Sequence, residues 1–476
     1  EKGAEIIRML YSIVGEKDYK KAINLYFDRH DGEASTIEHW IKTFEDCTGR
    51  DLKQFSLWYE QSGTPTIILE ETFRSGTYML RLTQNIPTQD DNVEAKPMVV
   101  PIKVCFIDKK GKRLTEDNLI ILTKKTQNFM FSGFENKPIP VMLGDFSAPV
   151  ILKQDRTLND LLTIIQSESN AFCVWEATQK LFLELLECLI KRVALTVELE
   201  PVLTNLIERY QENPAFLSKL LTLPSDEELT VHILTYQKFV DPEQIYLARE
   251  ELDRIIASIL KEDLYRLYDS IISEDSEFDQ LNSGKRRLKN RYLDFITTLD
   301  QTASKSQSCF DNSQNMTEIL YSLKLLVKSD KAGNALSSFY KNWRRDPLLI
   351  DKWFSVQAIY TPANKIFKIL ESLSMHPDFK WKNPNRFRSL IGAFAFNNPR
   401  CFHSEDGAGY KIVADWVKKI DPVNPQLAAR LCTAFETVDR LESKRKDIIK
   451  SSLKRIRYSD NISKDTLDIS ARLLKL

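Results

Sequence analysis

Histidine spacing is the first test of chemistry in this chain. A hydrolytic zinc site needs His or carboxylate ligands close together, with one coordination position left for water. The five histidines are His30, His39, His232, His376 and His403; no two stand at i,i+4, and H-E-x-x-H does not occur. His39, followed by Trp40 and Ile41, reads as a half-buried packing histidine. The chain therefore carries no recognisable metal site of its own. Cys401 and His403, in "PRCFHSEDG", are the one close pairing of a thiol with a base. Residues two apart on a helix face apart, so a structural role is the reading. There is no G-x-S-x-G elbow and no phosphate loop; "GAGYK" at 407–411 lacks both the pattern and a preceding strand.

The most individual stretch is "NPNRFRSLIGAFAFNNPRCFH", where Asn383-Pro384 and Asn398-Pro399 bracket a short apolar helix. Asn caps a helix well and Pro suits its first position, which accounts for both dipeptides. Capping does not account for Arg386 and Arg388 entering that helix. Arginines beside an apolar helix reach for carboxylates, of the protein or of a ligand. Two basic clusters, "GKRRLKNR" (284–291) and "KNWRR" (341–345), invite a nucleic-acid reading. However, Leu288, Tyr292, Phe295 and Ile296 keep helical spacing through the first, which predicts that its charges lie on the opposite, solvated face.

Composition agrees. Lys+Arg and Asp+Glu are 67 each, so there is no net field to attract nucleic acid or an anionic membrane. No stretch approaches the apolar length of a membrane span. The seven cysteines are scattered without a C-x-x-C pair, several within apolar runs such as "VCFI". They read as reduced core thiols of a cytoplasmic protein. With 476 residues the chain is too long for one core and suggests about three domains.

The elements follow from the changing period. Residues 1–63 read as four short helices. The first is already running at Glu1 with no capping residue and so looks cut, and Gly15 stops it. Ser35 with Glu38 predicts a capping box, Asp51 a cap for "LKQFSLWYEQSG", and the apolar faces of these helices need a partner. Residues 64–154 alternate with period two, placing Tyr78, Leu80 and Leu82 on one face and Ile102, Val104 and Phe106 on another. They predict a small antiparallel β-sandwich of six or seven strands. Residues 155–476 return to helical period with no fixed repeat length, predicting a large α-helical superhelix, or solenoid. The fold class is multidomain and mainly α.

Several segments, "EKGAEIIRML", "YFDRHDGEAST", "WYEQSGTP", "FSAPV", "DPLLIDKWFSVQA" and "NPNRFRSLIGAFAFNNPRCFHSEDGAGY", together resemble the bacterial aminopeptidase N family of zinc metallopeptidases. The resemblance runs in order from residue 1 to beyond 430 and covers the family's C-terminal half. It implies that residues 1–63 are the closing helices of a thermolysin-like catalytic domain, 64–154 the family's Ig-like sandwich, and 155–476 the cap over the active site. It also implies that the zinc-binding H-E-x-x-H, the G-x-M-E-N loop and the oxyanion Tyr all precede Glu1. Zinc then belongs to the intact enzyme and none is bound by this chain, which alone is inactive. The implied partners are peptides with free N-termini and the N-terminal catalytic half, in a monomer. Arg388 and Arg430 match arginines that face the family's substrate chamber; alternatively they pair with Asp or Glu between helical layers. The rival reading is a stand-alone sandwich-and-solenoid scaffold that binds peptides or proteins. A Cys401–His403 hydrolase is a third.

Overall fold

A computed structural model describes residues 2–87, 95–272, 279–300 and 302–475. Glu1 and Ser273, both within segments read above as helical, lie outside the described residues. The chain forms two compact units, 1–181 and 182–476.

In the first unit the amphipathic period at the start becomes α1 (Lys2–Val14), burying Ile6, Met9, Leu10 and Val14. Gly15, at φ +82°, reverses the chain into α2 (Glu16–His30). Helix α3 (Ile37–Thr48) begins one residue later than expected. Thr36, not Ser35, is its cap, and the N3 partner is His39, not Glu38: Thr36 Oγ1 accepts from the His39 N–H, and His39 Nδ1 from the Thr36 N–H, each at 3.4 Å. His39 is accordingly exposed rather than a packing residue. Its ring stacks parallel on His30, with centroids 4.6 Å apart. Asp51 caps no helix either. Its carboxylate accepts from the Lys53 N–H and opens a turn, and α4 (Leu57–Glu60) starts four residues further on.

Seven strands follow: β1 (Thr66–Arg74), β2 (Thr77–Asn85), β3 (Val100–Ile107), β4 (Asn118–Leu122), β5 (Thr126–Ser132), β6 (Ile139–Met142) and β7 (Ile151–Lys153). They form two sheets, ordered β5-β2-β1-β7 and β4-β3-β6. The pairing is antiparallel except at β7, which runs parallel to β1 with Ile67 opposite Leu152. Ser75 and Gly76, at φ +47° and +74°, make the two-residue turn that fits the twist of the β1–β2 hairpin. Tyr78, Leu80, Leu82, Ile102, Val104 and Phe106 are fully buried, as their alternation requires. They share one core with Ile6, Met9, Leu10, Phe44, Phe55 and Trp58, so much of the apolar face of the first helices is covered by the sandwich itself.

Side chains stitch that contact. The backbone from Lys96 to Val99 bonds to side chains: Gln61 to Lys96, Gln54 to Pro97, Gln84 to both polar groups of Met98, and Trp58 Nε1 to Val99 O at 2.7 Å. The outer face of β3 is also buried, because Glu168 and Cys173, in and beside the next two helices, reach Cys105 and the Met142 carbonyl. Residues up to Leu181 thereby belong to the first unit.

The second unit is a succession of packed helices. Its hub is Gln280–Leu299, which lies against Pro214–Leu220, Pro242–Leu260, Leu264–Ser270, Ser304–Asn312 and Met316–Lys328. Here the solvated-face expectation holds only in part for "GKRRLKNR": Arg287 is exposed and Lys285 and Lys289 are half-buried, but Arg286 and Arg291 are both buried. Burial of Arg291 is compensated by Asp253, by Asp294 and by the Leu221 carbonyl at 2.9 Å, with the Phe295 ring 4.0 Å beneath the guanidinium. A charge matched on every side can enter a helix–helix contact that a lone charge cannot.

Helices of this unit start repeatedly on Asn or Asp followed by Pro, at 213–214, 241–242, 346–347, 383–384, 398–399 and 424–425. In each, the cap side chain accepts a backbone N–H of the first turn. Cys401 and His403 form no dyad. His403 Nδ1 faces the Tyr410 hydroxyl at 2.9 Å, and the Arg445 guanidinium bonds the His403 carbonyl at 2.7 Å. Burial, with the Arg445 charge beside it, pushes the imidazole down to about 3, and burial pushes the Cys401 thiol up to about 11. Both are neutral packing groups at neutral pH.

Two outcomes follow. Arg291→Met leaves the buried Asp294 and the half-buried Asp253 without their guanidinium partner, so urea unfolding is expected to report a loss of about 3–5 kcal/mol. As pH falls below 6.5 the unfolded His403 takes up a proton that the folded one refuses, so this group's contribution to stability falls with pH. Between pH 6.5 and 5 the wild type is expected to lose about 2 kcal/mol more than His403→Gln.

Candidate functional site

The two Asn-Pro caps at 383 and 398 enclose a helix that is not continuous. Pro384–Phe387 is α-helical, Arg388–Gly392 widens into a π turn, and Ala393–Asn397 is α-helical again. A π turn inserts one residue into the helical register, and such turns often occur at functional positions. It packs against Pro347–Tyr360, while Phe387, Leu427 and Leu431 form the buried floor of a cavity of about 290 Å³.

The three arginines singled out in the sequence part company here. Arg386 is committed to the protein: its Nε lies 2.7 Å from Asp351 Oδ1, its η nitrogens bond the Asp378 and Pro347 carbonyls, and it covers the Phe354 ring. Arg388 and Arg430 line the same cavity, from the π turn and from Pro425–Cys432, and both are exposed. Among the described residues Arg388 reaches only the Asn385 amide oxygen, at 3.3 Å, and Arg430 lies over the Phe396 ring at 5.6 Å. Among the described residues neither forms an ion pair, so two guanidinium groups remain open to an anion at the mouth of a pocket with an apolar floor. Arg430 and Phe396 also border a second cavity, of about 430 Å³, which Glu436 and Arg440 help to line.

One cluster escaped the sequence reading. Tyr321, Lys324 and Lys328 share a stripe of Met316–Lys328 and meet Arg291 and Asp294 of the hub helix around a cavity of about 410 Å³. Their i, i+3, i+7 spacing in "YSLKLLVK" was the available signal, and it resembled the polar side of an ordinary amphipathic helix. Among the described residues no group of three or more His, Cys, Asp or Glu is placed to hold a metal ion, and no helix is long and apolar enough to cross a membrane. All seven cysteines are free.

Comparison with known proteins gives these features a setting. Residues 158–475 match a family described as "Domain of unknown function (DUF3458_C) ARM repeats", and residues 63–155 one described as "Domain of unknown function (DUF3458) Ig-like fold". Curated relatives named aminopeptidase N are 33% identical in Haemophilus influenzae and 31% in Escherichia coli, each over 98% of this chain and 55% of the relative. One from Caulobacter vibrioides is 33% identical over 100% of this chain and 56% of its own length. The crystal structure of Legionella pneumophila aminopeptidase A in complex with aspartic acid superposes with a TM-score of 0.86 at 30% identity, covering 100% of this chain and 56% of that one. The chain thus spans about half the length of the relatives it matches. It belongs to the DUF3458_C family of ARM-repeat domains, preceded by its Ig-like domain, and corresponds to the C-terminal part of aminopeptidase N.

Proposed function

We propose that this chain is the portion of a broad-specificity, cytoplasmic and monomeric zinc aminopeptidase that caps the active site and shapes its substrate chamber. Residues 1–63 would close the catalytic domain, 64–154 form the sandwich and 155–476 the cap. The observation that carries the chamber role is the pair Arg388 and Arg430, exposed on one cavity without carboxylate partners among the described residues. Similarity along the whole chain to relatives named aminopeptidase N supports the parent activity.

In such an enzyme, zinc supplies an activated water for attack on the first peptide bond. The residues described here do not fit as its ligands, since none form a donor cluster, so no step of the reaction is assigned to them. What they supply is charge and shape. Two guanidinium groups over an apolar floor hold a peptide's C-terminal carboxylate, bidentately where geometry allows, while Phe387, Leu427 and Leu431 take its last side chain. Each exposed charge contributes modestly, up to roughly 1 kcal/mol.

The coding sequence before Glu1 is the direct test of the parent activity. An H-E-x-x-H upstream, with Tyr immediately before Glu1, supports the proposal, and a start codon beside Glu1 overturns it in favour of a scaffold. In the intact enzyme, Arg388→Ala with Arg430→Ala is expected to raise KM for tripeptides with a free C-terminus by about 5–20-fold. The same tripeptides amidated at the C-terminus should be unaffected. Equal effects on both series would remove the carboxylate role. The chain alone is expected to bind no zinc and to cleave no aminoacyl chromogenic substrate; one zinc per chain on metal analysis would contradict this.

A further inference from the structure

The cavity of about 410 Å³ beside the hub helix is lined by ionisable side chains, and nearly all of them are matched. Arg291 meets Asp253 and Asp294, Lys328 meets Glu250 at 2.7 Å, and Arg400 meets Glu243 through two bonds of 2.6 Å. Tyr321 donates its hydroxyl to Asp294 at 3.1 Å. Two donors on the lining are left over. The Lys324 ammonium makes no hydrogen bond among the described residues. The one carboxylate it pairs with, Asp294, stands 4.0 Å away and is already engaged by Arg291 and Tyr321. The Arg249 guanidinium meets Asp226 through Nε, at 2.9 Å, while its Nη1 is buried without an acceptor.

Lys324 is held instead by two aromatic faces, with its nitrogen 4.4 Å from the Tyr321 ring centroid and 5.1 Å from that of Tyr360. Cation–π contact of this kind holds a cation but provides no acceptor for its N–H groups. Burial, with Lys328 and Arg291 beside it, pushes the Lys324 ammonium below the ordinary lysine value, the direction expected of a buried cation short of acceptors. Unsatisfied buried donors are rare in folded proteins, and one such donor, Arg249 Nη1, on the same cavity as a half-buried ammonium without a hydrogen bond, marks a place where an acceptor belongs.

We infer that this cavity is a binding site for a small organic monocarboxylate, whose oxygens accept from Lys324 Nζ and Arg249 Nη1. Four carboxylates also line the cavity (Asp226, Glu250, Asp253 and Asp294), and they oppose a doubly charged anion more strongly than a singly charged one. That selects a carboxylate over phosphate. The volume takes a ligand larger than acetate, and the tyrosine rings of Tyr246, Tyr321 and Tyr360 offer its apolar end a surface. The cavity shares Ile359 and Asn397 with the Arg388–Arg430 cavity but neither of those arginines, and the inference does not depend on the aminopeptidase reading.

The test is titration calorimetry on the full 476-residue chain with phenylacetate, acetate and inorganic phosphate as probes. Saturable 1:1 binding of phenylacetate, tighter than acetate or phosphate, is expected. It should weaken at least tenfold in Lys324→Met and in Arg249→Gln, and stay unchanged in Arg388→Ala. No saturable binding of either carboxylate overturns the proposal, as does unchanged affinity in a folded variant; if Lys324→Met does not fold, Arg249→Gln decides. Phosphate binding more tightly than phenylacetate overturns the carboxylate assignment. A second readout is amine acetylation by acetic anhydride, followed by peptide mass spectrometry. Phenylacetate should protect Lys324 selectively, and equal labelling with and without it counts against the site.

Discussion

The second unit depends on one buried cation. Arg291 stands on the hub helix Gln280–Leu299 and ties three segments together at a single point, through Asp253 of Pro242–Leu260, the Leu221 carbonyl and its neighbour Asp294. Each charge alone would face a large desolvation cost in that position; together they tolerate it, because the guanidinium presents donors in several directions. Arginine is required for this. A lysine offers a single point of charge and could not serve a carbonyl and two carboxylates at fixed angles.

The same constraint accounts for the polar cavity beside it. Once Asp294 is drawn toward Arg291 and Tyr321, too little of it remains for Lys324, and the surplus appears as an under-coordinated ammonium on the cavity wall. The Arg388–Arg430 cavity arises differently. Its charges are exposed and its floor is apolar, so it costs the fold little to keep them unpaired. One unit therefore holds two cationic pockets of unlike origin, one a by-product of core electrostatics and the other a surface arrangement on a π turn.

Legibility in the sequence followed the range of the interactions. Features fixed within a few residues were readable: the Asn-Pro helix starts at 383 and 398, the stop at Gly15, and the alternation of Tyr78, Leu80 and Leu82. The capping box slipped by one residue because Ser35 and Thr36 can both cap a helix, and only the start at Ile37 chooses between them. Features made by distant partners were not readable. Helical period placed Arg291 on the wet side, since it cannot know that Asp253, thirty-eight residues earlier, waits across the contact. His39 looked like a packing residue because its neighbours are apolar, whereas its actual companion is His30 on another helix. Of the candidate site, Arg386 and Arg388 were evident as odd charges in an apolar helix. That one pairs inward and the other stays open is decided by the π turn, which no local pattern announced.

The repeated Asn-Pro starts also bear on how the protein ages. Asparagine ordinarily deteriorates when the backbone nitrogen of the next residue attacks its side-chain amide and closes a succinimide, which reopens largely as isoaspartate. At 213, 383, 398 and 424 that nitrogen belongs to proline and carries no hydrogen to lose. The residues that fix where these helices begin are thus shielded from the commonest route of asparagine decay. The shield comes from the same proline that sets the first helical dihedral, so the registration of this unit is chemically durable as well as geometrically defined.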